Sequence, residues 1–126
     1  MQIVFTPRAP KPAGHYAQAV IHGDLVYVSG QLAIDPQTGE KRIGSIEEQT
    51  ELVLRNISAI LKAANSGMDQ VLKTTVYIAD IALWERVNRV YADFFGEHRP
   101  ARAVVPTREL HFGFQVEIEA IAVVNH

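Results

Sequence analysis

At 126 residues, the chain is long enough for one domain around a single hydrophobic core, and we interpret residues 1–126 as that domain. Its formal net charge of −2 and the lack of a basic tract disfavour nucleic acids and anionic membranes as main partners, because both attract clustered lysine and arginine. The chain has no cysteine, which excludes disulfides and thiolate chemistry and fits a reducing compartment. With no signal-peptide pattern and no apolar run near the ~20 residues of a membrane span, we expect a cytoplasmic protein.

The first third of the chain predicts a hairpin and a turn. Three prolines within 7–12 favour an extended N-terminus without regular structure. Strand-like segments then follow at 16–21 and 25–29, joined at the sequence HGD by Gly23. The segment DPQTGE at 35–40 has its proline and glycine at positions typical of a turn.

Two amphipathic helices are predicted in the middle of the chain. Ser45 and Glu48 form a capping box at the start of the first helix, which Gly67 is expected to end in a left-handed conformation. Asp80 is expected to cap the second helix. Apolar residues recur at helical spacing in both segments. The predicted buried stripes are Val53, Ile57, Ile60, Leu61 and Ala64 in the first helix and Trp84, Val87, Tyr91 and Phe94 in the second.

Three further strands complete the pattern. Strands are predicted at 71–80 and 101–107, and the last strand, at 115–124, is apolar enough for a central position with both faces covered. The order β-β-α-β-α-β-β gives an α+β fold of two layers, a mixed sheet with both helices on one face. The opposite face would remain apolar and exposed in a monomer, so we expect self-association.

One charge interrupts the apolar sequence PARAVV at 100–105, which is typical of a buried strand. Arg102 lies in its middle, and burying a guanidinium without a partner is strongly unfavourable. Gln115, Glu117 and Glu119 share one face of the last strand, so Arg102 is a natural partner for these carboxylates if the two strands are adjacent. Two interpretations fit these residues: an ion pair that fixes strand register, or a functional site.

Three more polar residues stand in apolar surroundings, namely Tyr16, Ser29 and Asn88. Taken alone, they fit a hydroxyl at the sheet rim, a turn serine beside Gly30, and a core asparagine with a hydrogen-bond partner. The five histidines show no metal-ligand spacing, and His111 in ELHFGF is the one of interest. The chain has no GxGxxG, P-loop or GxSxG motif, so neither a nucleotide cofactor nor covalent catalysis is indicated.

Five stretches of the sequence, in this order, resemble the RidA family of reactive intermediate deaminases, also called YjgF proteins. They are GHYAQAV at 14–20, VYVSGQLAIDPQTGE at 26–40, KTTVYIADIALWERVNRVYADFF at 73–95, RPARAVVPTREL at 99–110 and VEIEAIAV at 116–123. Each stretch is weak alone, but the combination is specific and spans almost the whole chain.

The resemblance implies a chorismate mutase-like fold assembled as a homotrimer, with sites in clefts between subunits. It implies hydrolysis of reactive enamines and imines, such as 2-aminoacrylate and 2-iminopropionate, to a 2-keto acid and ammonia. No cofactor or metal is implied. The expected partners are therefore a carboxylate-bearing imine or enamine and further copies of the same chain.

The resemblance also implies roles for individual residues. Arg102 matches the family's site arginine, which would bind the substrate carboxylate as a bidentate pair. Glu117 matches the family's glutamate, which would orient or activate the attacking water and favour the iminium form. Glu119 is expected to be structural. The residues expected to line the pocket and to hydrogen-bond substrate or water are Tyr16, Ser29, Gly30 and Asn88.

The sequence departs from the family pattern at His15, Val104 and His111, where proline, cysteine and proline are common. This altered rim could admit a different imine or enamine, and the ring-fission product 2-aminomuconate is one candidate. Two other functions stay open. A non-catalytic sensor of 2-keto acids would use the same Arg102 but would gain nothing from Glu117. A ribonuclease or translation inhibitor is disfavoured by the acidic balance and by the lack of a basic or aromatic stacking surface.

Overall fold

The computed structural model describes residues 1–126 as six strands and two helices. The strands are β1 Gln2–Val4, β2 Ala19–His22, β3 Leu25–Gln31, β4 Val71–Ile78, β5 Ala101–Pro106 and β6 Val116–Val123, and the helices are α1 Ile46–Ala63 and α2 Trp84–Phe95. The strands form one sheet in the order β1-β2-β3-β6-β4-β5. All neighbours are antiparallel except β4 and β5, so the predicted mixed sheet is confirmed.

The sheet contains one strand that was not predicted. β1 pairs antiparallel with β2, with Gln2 opposite Ile21. The expectation of an N-terminus without regular structure is therefore wrong for its first residues, because the prolines begin only at Pro7, after β1 has ended. The hairpin of β2 and β3 is confirmed, and Gly23 between the strands has a φ of +62°, a conformation that glycine adopts without steric strain.

Helix α1 starts at the predicted cap, although only the Ser45 half of the capping box forms, and it ends differently. Ser45 caps it, since its hydroxyl oxygen accepts a hydrogen bond of 3.1 Å from the backbone N–H of Glu48. At the other end, Asn65 adopts the left-handed conformation with a φ of +58°, whereas Gly67 is extended with a φ of −172°. The prediction that Gly67 ends the helix was wrong. Asparagine tolerates the left-handed region better than most residues, so it takes the place of glycine there.

Helix α2 begins one turn later than predicted. The carboxylate of Asp80 accepts a hydrogen bond of 2.9 Å from the N–H of Ala82 and so caps a short 3-10 turn. The α-helix starts only at Trp84. Val87 and Tyr91 of the predicted stripe are buried, but Phe95 is more buried than Phe94.

The hydrophobic core lies between the two helices and one face of the sheet. Alternation along β6 decides which side chains enter it: Val116, Ile118, Ala120 and Ala122 are buried beneath the helices. The alternate residues Glu117, Glu119, Ile121 and Val123 point to the opposite face and are half-buried. The predicted central position of β6, between β3 and β4, is confirmed.

We call the sheet face opposite the helices the open face. Both helices pack on the other face, and on the open face Tyr27 and Val105 are 42% and 37% exposed. The second face of β6 is thus only partly covered within one chain. The prediction of a buried strand at 100–105 was also wrong, since β5 is an exposed edge strand. Neither helix is long and apolar enough to span a membrane.

Candidate active site

Arg102 lies on edge strand β5, on the side of the sheet that the helices cover. Its neighbour on the parallel strand β4 is Thr74, and paired residues of neighbouring strands point to the same face. Thr74 is buried, and its hydroxyl shares a hydrogen bond of 2.7 Å with the hydroxyl of Tyr91 on α2. Arg102 therefore extends beside α2.

The guanidinium of Arg102 is held by neutral groups. Its Nη1 donates a hydrogen bond of 2.9 Å to Oδ1 of Asn88. Its central carbon lies 4.5 Å from the ring centroid of Trp84 and 4.9 Å from that of Tyr91. Each cation–π contact at an exposed position is worth about 0.5–1 kcal/mol. No carboxylate lies within ion-pair distance, so most of the five N–H donors of Arg102 are available to a ligand.

Tyr91 contributes to this platform as a neutral ring. Burial raises the pKa of its phenol, and this effect outweighs the opposing influence of the hydrogen bond to Thr74 and of the charge on Arg102. The phenol therefore stays protonated at neutral pH. A buried neutral ring beside an exposed strand fixes the position of the guanidinium without neutralising its charge.

A cavity of about 490 Å³ opens beside Arg102, and we call it the arginine site. It lies between the second half of α2 and the start of β5. No acidic side chain lines it. The lining residues are Asn88, Tyr91, Ala92, Phe95, Gly96, His98, Arg99, Pro100 and Arg102.

Glu117 lies on β6 and points to the open face. Its partner on β4 is Tyr77, which lies three residues after Thr74, the partner of Arg102. Residues an odd number apart along a strand point to opposite faces, so Glu117 and Arg102 lie on opposite faces of the sheet. Its carboxylate lies directly over Gly30, where a Cβ atom would come within 2.1 Å of Oε2. The absence of a side chain at Gly30 is therefore what makes room for the carboxylate.

The environment of Glu117 favours its protonated form. Burial raises the pKa of this carboxyl above its usual value, and the charge of Glu119 adds to the effect. The charge of His111 acts in the opposite direction. A carboxyl with a raised pKa can both donate and accept a proton closer to neutral pH than an ordinary glutamate does.

A second cavity, of about 240 Å³, lies next to Gly30, and we call it the glutamate site. Tyr16 lines it, and its phenol oxygen accepts a hydrogen bond of 3.3 Å from the N–H of Ala13. His111 and Phe112 line it from the other side. Ser29 does not line this cavity, because its hydroxyl donates a hydrogen bond of 2.6 Å to the carbonyl of Ala17.

The structure thus divides the predicted site residues into two groups. Arg102 and Asn88 lie together in the arginine site, whereas Tyr16, Gly30 and Glu117 lie together in or beside the glutamate site. From the strand register and usual strand spacings, the Cα atoms of Arg102 and Glu117 are about 14 Å apart, on opposite faces of the sheet. The predicted Arg–Glu pairing does not occur within one chain, because β4 lies between β5 and β6.

Two features of the site were missed from the sequence. Trp84 and Tyr91 were assigned to the core stripe of α2, yet they also form the aromatic platform of Arg102. Their spacing of four and three residues from Asn88 is the signal that places all three on one helix face. The other missed residue is Phe112, which has a φ of +59° and therefore presents its ring at the rim of the glutamate site.

Comparison with known proteins identifies the family. The family model described as Endoribonuclease L-PSP matches residues 6–124, and the chain belongs to this family. It is 46% identical to a RutC family protein of Pyrococcus horikoshii over 96% of both chains. It is 38% identical to the human 2-iminobutanoate/2-iminopropanoate deaminase over 97% of this chain and 89% of the human protein.

The solved structures confirm the fold. The crystal structure of RidA from the Antarctic bacterium Psychrobacter has a TM-score of 0.94 to this chain at 40% identity. The match covers 98% of this chain and all of the other. The resemblance to RidA proteins and the α+β fold that it implied are therefore confirmed.

Proposed function

We propose that the protein hydrolyses reactive imines and enamines that carry a carboxylate, such as 2-iminopropionate and 2-aminoacrylate. The products are a 2-keto acid and ammonia. The observation that carries this proposal is the state of Arg102, a positioned guanidinium with no acidic partner of its own. The similarity to the human 2-iminobutanoate/2-iminopropanoate deaminase supports the same chemistry.

In this proposal Arg102 binds the substrate carboxylate. Its planar fork matches a carboxylate with two parallel hydrogen bonds, and such charge-assisted bonds are about twice as strong as neutral ones. Asn88 holds one end of the guanidinium while Trp84 and Tyr91 hold its face. The substrate is thereby oriented before the reaction begins, which lowers the entropy that the reaction step must lose.

Glu117 transfers the protons. An enamine that takes a proton on its terminal carbon becomes the iminium ion directly, and an imine reaches the same ion by taking a proton on nitrogen. The positive charge makes the iminium carbon electrophilic. Water adds to this carbon, and the resulting carbinolamine loses ammonia to leave the keto group. A carboxyl whose pKa is raised by burial is suited to give the first proton and to take one from the attacking water. These steps form a C–O bond, break the C–N bond and consume one water, and they need only proton transfers from the protein, with no oxidant or reductant.

The remaining predicted residues have supporting roles. The phenol of Tyr16 has its donor hydrogen available for substrate or water, since its oxygen is an acceptor in the hydrogen bond from Ala13. Gly30 leaves space for Glu117. Ser29 joins strand β3 to the segment that carries Tyr16 through its bond to Ala17, so we assign it the task of fixing that segment.

The two groups of residues meet, in this proposal, between neighbouring copies of the chain in a homotrimer. Arg102 and Glu117 cannot touch one ligand of three or four carbons from opposite faces of the same sheet, about 14 Å apart. The uncovered open face, with Tyr27 and Val105 exposed, supports such an assembly, because burying apolar surface favours association. A second copy would then complete each site.

The test is the decay of 2-iminopropionate made in situ from alanine by an amino-acid oxidase, with catalase present. Wild type, Arg102→Ala and Glu117→Ala are compared with a reaction that contains no protein. We expect acceleration by wild type alone. If neither this imine nor a larger one decays faster with wild type, the protein is not an imine hydrolase. If Glu117→Ala binds a 2-keto acid as tightly as wild type or tighter and no variant accelerates decay, the 2-keto acid sensor is favoured.

A further inference from the structure

A second arginine lines the arginine site. Arg99 lies three residues before Arg102, and both residues line the same cavity. Arg99 is exposed and forms no ion pair. The nearest acidic residues along the chain, Asp93 and Glu97, do not line the cavity. Two arginines therefore line one cavity to which the chain contributes no carboxylate.

The segment that carries Arg99 is held in place on both sides. Before it, Nε2 of His98 lies 2.7 Å from the carbonyl oxygen of Val71, so this nitrogen carries the hydrogen and donates to it. The ring of His98 also packs near that of Phe95, with centroids 6.2 Å apart. After it, Pro100 restricts the backbone of both residues. Arg99 is thus presented from an anchored segment rather than from a free loop.

The volume of the cavity exceeds what a three-carbon imino acid requires. Such a ligand has six non-hydrogen atoms and displaces at most about 180 Å³ of water, at ~30 Å³ for each water molecule. The arginine site measures about 490 Å³. Measured on one copy of the chain, the space beyond a ligand bound to Arg102 is therefore large enough for the Glu117 side chain of a neighbouring copy and for a second polar group, and it borders Arg99.

We propose that Arg99 binds a second carboxylate, so that the preferred substrates are imines and enamines of dicarboxylic amino acids. The four-carbon imine 2-iminosuccinate represents this class. The inference rests on the proposed hydrolysis, which remains balanced: the C=N bond is replaced by C=O, one water is consumed, ammonia leaves, and both carboxylates are unchanged. One carboxylate binds Arg102, and the other binds Arg99 on its flexible stem.

The experiment compares two imines on the full-length protein. 2-Iminosuccinate is made from aspartate and 2-iminopropionate from alanine, each by the matching oxidase with catalase present, and kcat/KM is measured for both. The readout is the ratio of the two values. We expect wild type to favour the diacid and the ratio to fall at least tenfold in Arg99→Gln. In Arg99→Glu it should fall further, because a like charge then faces the second carboxylate.

A matched control separates this effect from a general loss of positive charge. Arg55→Gln removes the same charge from the outer surface of α1, away from the arginine site, and should leave the ratio unchanged. Melting curves check that each variant is folded. If wild type hydrolyses 2-iminopropionate but the ratio stays within twofold in Arg99→Gln and Arg99→Glu, the inference about Arg99 is wrong and the proposed function stands. If wild type hydrolyses neither imine, the proposed function itself fails.

Discussion

Gly30 offers a direct test of the role assigned to Glu117. In Gly30→Ala, the new Cβ atom would lie 2.1 Å from Oε2 of Glu117 and 3.0 Å from its Cδ. Real Cβ contacts are essentially never shorter than 3.0 Å, so the carboxylate oxygen must move by about 1 Å or more. The added methyl group thus displaces the carboxyl to which we assign proton transfer while leaving it in the chain.

The size of the effect follows from that displacement. Misplacing a reacting group by about 1 Å can slow a reaction ~100-fold, which corresponds to about 2.7 kcal/mol of transition-state stabilisation. The backbone at Gly30 is not in the left-handed region, so alanine can adopt its backbone conformation, and the strain is confined to the contact with Glu117. Replacing glycine at such a position stabilises by about 0.4–1 kcal/mol through the unfolded state, which offsets part of the local strain. Activity should therefore fall much more than stability.

The assay is hydrolysis of 2-iminopropionate together with thermal melting. We expect kcat/KM of Gly30→Ala to fall about 100-fold, with a change in Tm of only a few degrees. Gly67→Ala is the matched control, since Gly67 is extended and lies away from both sites, next to the flexible side chain of Asp69. A kcat/KM within threefold of wild type in Gly30→Ala would show that the position of the Glu117 carboxylate does not limit the reaction.

Three further predictions concern single residues. Arg102→Lys keeps the charge but loses the two parallel hydrogen bonds of the guanidinium, so kcat/KM should fall about 10–100-fold, which corresponds to the loss of one charge-assisted hydrogen bond of ~1.5–3 kcal/mol. The control Arg108→Lys should leave kcat/KM unchanged. Equal losses in both variants would contradict the proposed binding of the substrate carboxylate by Arg102. Burial raises the folded-state pKa of Glu117, so its contribution to stability is greatest below the unfolded pKa of ~4.3 and is lost as pH rises through the folded pKa. Glu117→Gln should therefore be inactive yet have a higher Tm than wild type at pH 7, and this gain in Tm should shrink toward pH 4. A lower Tm at pH 7 would show that the charge on Glu117 is not destabilising. Ser45→Ala removes the cap of α1 and should lower stability by about 1 kcal/mol, or about 3–5 °C in Tm, whereas an unchanged Tm would mean that water replaces the hydroxyl.

Local patterns were sufficient to predict most of the fold. The apolar spacing and the Ser45 cap located α1, and the turn glycine Gly23 located the hairpin. The predictions failed where the outcome depended on contacts that are remote in sequence. β1 is a three-residue strand that is stabilised by pairing with β2 and by burial of Val4 in the core, and no periodicity can appear in so short a segment.

The candidate site shows the same contrast between local patterns, which could be predicted, and contacts remote in sequence, which could not. The sequence correctly marked Arg102 as a charge that requires an explanation, but it suggested Glu117 or Glu119 as its partner. The order of strands in the sheet decides whether Arg102 can pair with these carboxylates, and β4 separates β5, which carries Arg102, from β6, which carries both glutamates. Aromatic residues at helical spacing are usually core, so nothing in the stripe itself distinguished Trp84 and Tyr91 as a platform for a cation.

Mixing two inactive variants tests the central claim, that each site takes Arg102 from one copy of the chain and Glu117 from another. Arg102→Ala and Glu117→Ala are unfolded together in equal amounts, refolded, and assayed for hydrolysis of 2-iminopropionate. In random trimers about a quarter of the sites would receive both intact residues. As a control, each variant is refolded with the double variant, which offers no complete site in any combination.

We predict that the mixture regains about a quarter of wild-type activity, while the separate variants and the control mixtures remain inactive. Recovery on mixing has one physical source, which is a site completed by residues from two copies. A mixture that forms oligomers but stays as inactive as its components would contradict the claim that Arg102 and Glu117 act together across the boundary between copies.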